Sequence, residues 1–509
     1  MRYMSVKKKL ISNTFYLSLN WGFTSFFSFL FWFILGKTLL PKEYGIVSTS
    51  LNLAVFLTGI TSLGLAGPIS KLIPEYLQTK KLGKVKQLIK NSIKIEAITN
   101  SIVAILLLVF SRPIILYLKI NMSILCMIIL CFIIISFSNL FNAITFGFQN
   151  MRKIFITNIF GQLVKIMITL ILIFSGFSYF GPLIGTFLCF LLTFVLFFNR
   201  SWFKPKVEKI DQKWVMLEYA LPALVATLSW MLFMNGQQII LTTIKNPEVT
   251  GIYSIAMVLC NPLIMIPNLL SRSLFPILSQ LSVNRNEKKR QRHLIRLVLR
   301  YAIFITLPIA LLFTLFSKPL ILFFSQPEFL PASRLFPFVG LASLFYGCTV
   351  ILSSNLYAIG KPKTNRNIVI VTTLTFLILT IPLTTLFSSF GMSVAYLLSA
   401  ILSVILCIIS LKKYIGLALP WKSIGRIILA NLITFSFLFV AASFTNGLII
   451  DVVFAIIGGI IYLVTLLLLR FFVEDDFLIL DLIAEKSPFL KKQIEHFKDY
   501  FSRFIGESV

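Results

Sequence analysis

Lys165 could do chemistry because of where it lies. An apolar stretch at 155–175 places it about ten residues from either end, beyond comfortable snorkelling reach of water for a lysine in a spanning helix. Such an ammonium needs either a hydrated cavity or a protein partner. Facing a cavity, it suits a diphosphate or an acidic sugar. The competing reading is a lysine hydrogen-bonded to neighbouring helices, with Gln162 one turn away on its own helix.

Amides in other apolar stretches could exchange hydrogen bonds with sugar hydroxyls: Asn20, then Asn235 with Gln237 and Gln238, then Asn261 with Asn268. Polar contacts that fasten helix to helix are the competing role for each of them. Arg272, at the inner end of its stretch, either meets a pyrophosphate or serves as an inside-positive anchor.

Catalytic signatures are missing where an enzyme would need them. Gly36-Lys37-Thr38 ends like a phosphate-binding loop, but the glycine required five residues earlier is Phe31. The two histidines, His293 and His496, are far apart, and no two of Glu43, Glu248, Glu328 and Asp451 are close in sequence. The six cysteines sit in apolar stretches with no C-x-x-C pair, so they read as small buried hydrophobes rather than metal ligands or disulfides. No catalytic residue, metal or cofactor is therefore expected.

The elements that hold these residues must be membrane spans. Hydrophobic residues make up 58% of 509 and charged ones only 13%, against about 25% charged in a soluble domain. A spanning helix needs about 20 mostly apolar residues and satisfies its own backbone. Such windows fall near 14–36, 45–67, 92–110, 122–146, 155–175, 179–199, 217–241, 250–271, 299–317, 334–358, 367–386, 391–411, 425–443 and 449–469, fourteen in all. The first lacks a small-residue cleavage site, which predicts a retained helix rather than a signal peptide. Glu96 and Glu218 fall in the first turns of their windows, which leaves no carboxylate near a bilayer centre. That counts against a proton-coupled drug antiporter.

With the N-terminus inside, 38 of the 47 Lys and Arg fall on the cytoplasmic side and seven outside. The positive-inside rule then places both termini in the cytoplasm. A net charge of +29 alone would suggest nucleic acid, but the run from Arg285 to Arg292 is short and reads as a topology-setting cytoplasmic loop near anionic lipid. Trp202, Trp214 and Trp421 fit an interfacial aromatic belt.

The chain also repeats itself. Pro41 to Ile46 resembles Pro247 to Ile252 at a spacing of 206, and Phe180-Gly181 recurs as Phe390-Gly391 at 210. Gln149 to Lys153 and Ile359 to Lys363 share the spacing of 210. The fold class expected is all-α integral membrane: two parallel six-helix repeats around a central cavity, plus two extra C-terminal helices. The lobes would be 1–200 and 201–411, followed by appended helices at 412–470 and a cytoplasmic tail at 471–509. In that tail, Leu490, Ile494, Phe497, Phe501 and Phe504 fall on one helical face, either interfacial or packed on helix ends.

Three segments carry a family resemblance: Leu35 to Gly45, Ser62-Leu63-Gly64-Leu65-Ala66 with Pro74-Glu75, and Gly251 to Ser254 with Phe275-Pro276. In these the chain resembles the polysaccharide or oligosaccharide flippases of the multidrug/oligosaccharidyl-lipid/polysaccharide superfamily, over roughly residues 10–470. The resemblance implies two lobes around a cavity that opens alternately to either face of the cytoplasmic membrane. It implies export of a polyprenyl-linked oligosaccharide, with membrane lipids and glycan-assembly proteins as partners and no nucleic acid. A drug or lipid II exporter of the same superfamily is the alternative within transport, and a membrane glycosyltransferase or polymerase the alternative of another class.

Overall fold

Helices begin where the sequence supplies caps and run where it is apolar. The computed structural model describes residues 2–472 except 205, 207, 209, 212–214, 283–286 and 443–447. The tail helix expected at 487–504, together with Trp214, Arg285 and His496, lies outside the described residues.

The first half contains α1 (Arg2–Thr38), α2 (Pro41–Thr61), α3 (Ala66–Gln78), α4 (Leu82–Val109), α5 (Ser111–Leu118), α6 (Met122–Gly147), α7 (Met151–Leu172, continued by a π turn) and α8 (Phe180–Phe197). The second contains α9 (Leu221–Ile244), α10 (Pro247–Cys260), α11 (Pro262–Ser282), α12 (Lys288–Leu315), α13 (Ser317–Phe324), α14 (Phe336–Ala358) and α15 (Pro362–Ile415), with α16 (Trp421–Ala442) and α17 (Leu448–Leu468) after it. Pro41 opens α2, where Glu43 Oε2 accepts the Leu40 N–H at 3.3 Å. Asn121 caps α6 and Asn150 caps α7, each side chain accepting an N–H three residues on, at 2.9 and 3.1 Å.

Among the described residues, twelve helical segments are long and apolar enough to span, and a broken pair, Pro247–Cys260 with Pro262–Arg272, makes thirteen. The 54-residue α15 has a non-helical backbone at Ser388. At 1.5 Å per residue it would run about 80 Å, against a hydrocarbon core of about 30 Å, so it supplies two spans. That recovers the fourteen windows.

Helix bounds extend the repeat beyond its motifs. α4 and α12 are both 28 residues long, and their first residues, Leu82 and Lys288, are separated by the same spacing as Pro41 and Pro247. The short α5 and α13, SRPIILYL and SKPLILFF, share that spacing. Ser178 and Ser388, separated like Phe180 and Phe390, both have positive φ, 38° and 58°. Each is followed three residues later by a glycine: a Cβ on Gly391 would overlap the Leu383 carbonyl oxygen, and one on Gly181 would stand a tight 3.2 Å from Ile173.

The chain divides into two compact units: Met1–Val258 with Phe324–Leu335 and Val369–Ala395, and Leu259–Phe323 with Phe336–Ile368 and Tyr396–Val509. In the first, α2 packs on α6 and α9, α7 on α1 and α8, and α6 on α8. Its core includes Leu65, Ile69, Leu72, Phe141, Ile144 and Trp202. In the second, α14 packs on α11 and α12, and α16 on α17 and α12. Here the core includes Leu274, Leu278, Ile295, Leu299, Ile351 and Leu411.

Lipid is as apolar as leucine, so close approach and interhelical hydrogen bonds must hold these helices together. Repeat-equivalent residues supply both within the first unit. A Cβ on Gly45 would overlap the Pro247 carbonyl oxygen, and one on Gly251 would overlap that of Pro41. One turn on, Ser48 and Ser254 share a hydrogen bond at 2.8 Å. Thr49 reaches Thr242 at 2.6 Å, and Thr242 reaches Thr250 at 2.8 Å.

Three sequence expectations need correction. Trp202 is 8% exposed and stacks on Phe148 at 5.5 Å, so it belongs to a protein core rather than an interfacial belt. The described part of the basic run, from Lys288, forms the first turns of α12 rather than a loop. Glu96 does not open a span: α4 begins at Leu82, which puts Glu96 midway along it.

Candidate functional site

Lys165 lies on α7, near the middle of the span that begins at Met151 and ends at Phe177. Its backbone is held against α8, because a Cβ on Gly185 would crowd the Lys165 carbonyl oxygen and Thr169. Its half-buried side chain crosses to α1, where Nζ stands 3.6 Å from the Phe31 ring centroid. Phe31 is 1% exposed, so its ring is a fixed platform, while the ammonium above it keeps partial access to its surroundings. Such a cation–π contact contributes about 0.5–2 kcal/mol. Cys131 and Cys189 lie within electrostatic reach. Gln162 does not hold the ammonium: its buried Oε1 accepts no hydrogen bond among the described residues.

The amides divide by their partners. Asn20 on α1 accepts a hydrogen bond from Asn158 Nδ2 of α7 at 2.9 Å. Gln237 is fully buried, donates to the Phe233 carbonyl at 2.8 Å and accepts from the Tyr253 hydroxyl. Asn235, half-buried on α9, makes no side-chain hydrogen bond among the described residues. In the second unit, Asn261 is exposed at the break between α10 and α11, where its carbonyl accepts from Ile264 and Met265 at 2.9 and 3.0 Å. Arg272 is exposed on α11, and its Nε donates to Asn268 Oδ1 at 3.1 Å. Within the first unit, no hydrogen bond joins Lys165, Asn20, Asn235 and Gln237 to one another.

The Gly-Lys-Thr tripeptide is accounted for without phosphate. Gln326 N–H donates to the Gly36 carbonyl at 3.1 Å and Gln326 Nε2 to that of Lys37 at 3.0 Å. A Cβ at Gly36 would stand 2.9 Å from the Phe324 carbonyl oxygen, so the glycine serves backbone approach. Leu63 and Gly64, in the second family-like segment, turn the chain at φ 46° and 73°, and a Cβ on Gly64 would overlap the Ala220 carbonyl oxygen.

The model of the polysaccharide biosynthesis protein family matches residues 10–282, more than half of the 509-residue chain, and takes in α1 to α11 together with Lys165 and its Phe31 platform. The chain belongs to the polysaccharide biosynthesis protein family. The MatE family model matches residues 222–386. No match was found among curated proteins. Among solved structures, the lipid II flippase MurJ in an inward closed conformation aligns with TM-score 0.65 and 19% identity, over 88% of this chain and 97% of its own. An inward-facing multidrug resistance MATE family transporter of the MOP superfamily aligns at 0.62 and 14%, over 77% and 96%. The MATE multidrug transporter DinF-BH aligns at 0.58 and 18%, over 80% and 95%. At such identities the likeness is one of fold. In this family member, sequence reading passed over the setting of Glu96, because Lys84, Lys86 and Lys90 set the start of the apolar window at 92. An i, i+4 pattern of polar residues at Ser92, Glu96 and Asn100 was the available signal.

Proposed function

We propose that this protein is a flippase that moves a polyprenyl-phosphate-linked oligosaccharide from the cytoplasmic to the outer leaflet of the cytoplasmic membrane by alternating access, without catalysis. Both termini lie in the cytoplasm, as the Lys and Arg distribution suggests. The lobes that rock would be 1–200 and 201–411, with 412–470 appended. The observation that carries the reading is the Lys165 ammonium. It sits midway along a span of a polysaccharide biosynthesis family member, rests on the Phe31 ring and makes no ion pair among the described residues. A cation held this way offers its charge to a diphosphate and recovers a counter-ion when the diphosphate binds. Asn235, without a side-chain partner, and Asn261 and Arg272, both exposed, supply further donors for sugar and phosphate. Asn20 and Gln237 would have to exchange the partners they already have.

Export of the lipid-linked glycan from cells tests this. Lys165→Met is expected to abolish export at unchanged membrane abundance, and Lys165→Arg to retain part of it because the charge persists. Normal export by Lys165→Met sinks the assignment. The MatE match over residues 222–386 favours a second reading, export of a drug or of lipid II. The buried position of Glu96 also removes the sequence argument against a coupled antiporter. Resistance to cationic drugs that rises with expression, with no defect in glycan export on deletion, selects that reading.

A further inference from the structure

Glu96 is 1% exposed, although it is a carboxylic acid in the middle of a helix that crosses the membrane. Its Oε1 accepts a hydrogen bond from Ser136 Oγ, which itself lies near the middle of α6. The Ser136 hydroxyl is 3.4 Å from Thr61 Oγ1 of α2, and Thr99 Oγ1 of α4 donates to the Thr61 carbonyl at 2.7 Å. The other carboxyl oxygen, Oε2, is buried with no partner among the described residues. One turn along α4 in either direction, Ser92 Oγ and both amide atoms of Asn100 are also buried and unpartnered. Glu96 therefore stands in a polar row that hydroxyls supply and that no cation among the described residues neutralises.

Charged groups on the elements around it are elsewhere. α6 has none over its 26 residues. On α2 they are Lys42 and Glu43, at the far end of the helix from Thr61, and Glu43 is engaged by Ser178. Lys71 and Glu75 of α3, Arg112 of α5 and Arg200 of the turn after α8 are exposed, as are Lys90 and Lys94 of α4 itself; Lys84 and Lys86 are at its first turns. A carboxylate walled off from water with no counter-charge is strongly disfavoured, whereas the neutral acid fits. The repeat shows that the architecture does not require an acid here. α12, equal to α4 in length and its counterpart in the repeat, has Ala302 at the position of Glu96 and Thr306 at that of Asn100, and Ala302 is fully buried.

We propose that Glu96, with Ser136 and Asn100, is a proton-exchange site that couples this transporter to the proton gradient. The coupling role rests on the transport reading above; the exchange itself does not. Glu96 holds its proton while enclosed between α4, α6 and α2, and releases it when a conformational change lets water reach Oε2.

The test is infrared difference spectroscopy on the full chain in lipid vesicles, titrated with acid and base. A carboxylic C=O band is expected that titrates reversibly and is missing in Glu96→Gln. Ser136→Ala, which keeps the acid and removes its hydroxyl donor, is expected to shift the band and its midpoint, and covers the case in which Glu96→Gln fails to fold. Absence of such a band, or a band unchanged in both variants, overturns the site. Loss of the band on adding sodium at constant pH also overturns it, by assigning sodium as the exchanged cation. In the export assay, Glu96→Gln is expected to lose export at unchanged abundance. Wild-type export by Glu96→Gln that stays equally sensitive to a protonophore overturns the coupling. If the wild type exports no glycan, the transport reading fails while the infrared result still decides the exchange.

Discussion

Asn20 and Lys165 show two outcomes for a polar side chain in a span. Asn20 has found Asn158 on the neighbouring helix at 2.9 Å, and interhelical pairs of this kind contribute about 0.6 kcal/mol, rarely above about 1.7. A double-mutant cycle on Asn20→Ala and Asn158→Ala, read by unfolding in lipid, is expected to give a coupling within that range. Zero coupling together with lost export would move Asn20 from fastening helices to handling substrate. Lys165 has instead settled on an aromatic face. Its depth was legible in the sequence because a charge inside an apolar window is a one-dimensional signal. Its partner was not legible, because Phe31 lies on another helix and no spacing rule links residues 31 and 165. Glu96 was placed at a span edge for a related reason: the lysines before it hide the helix that continues through them.

At the scale of elements, the duplicated motif Pro-x-x-x-Gly was read as a family mark and a sign of repetition, and the fold gives it a mechanical role. Two helices related by the repeat cross where each supplies a glycine to the other's proline carbonyl. Gly45→Ala and Gly251→Ala are each expected to lower the folded yield and the melting temperature, because the added Cβ meets backbone rather than a flexible side chain. Gly22→Ala on α1, where nothing lies within 4 Å, is the control and should be neutral or slightly stabilising. If Gly45→Ala melts like the control, the crossing is looser than described. Repeat length was legible from a few residues, but its full extent was not. The correspondence of α4 with α12 and of α5 with α13 shows in the helix bounds, since SRPIILYL and SKPLILFF differ at half of their positions.

For the whole molecule, the charge distribution makes a topological prediction. Reporters fused after Lys245 and after Val509 are expected on opposite sides of the membrane, the second in the cytoplasm; the same side for both rules out fourteen spans with both termini inside. The sequence by itself determined that the chain is helical and spans a membrane many times, since hydropathy windows and cationic loops act along the chain without reference to what packs where. It also determined the repeat, since equal spacing survives in the letters. Tertiary structure alone decided which polar residues are spent on one another and which are held apart. That depends on the few Å between helices, set here by glycines and hydroxyls. The same amide therefore reads identically in sequence whether it meets a neighbour, as Asn20 and Gln237 do, or has none among the described residues, as Asn100 does.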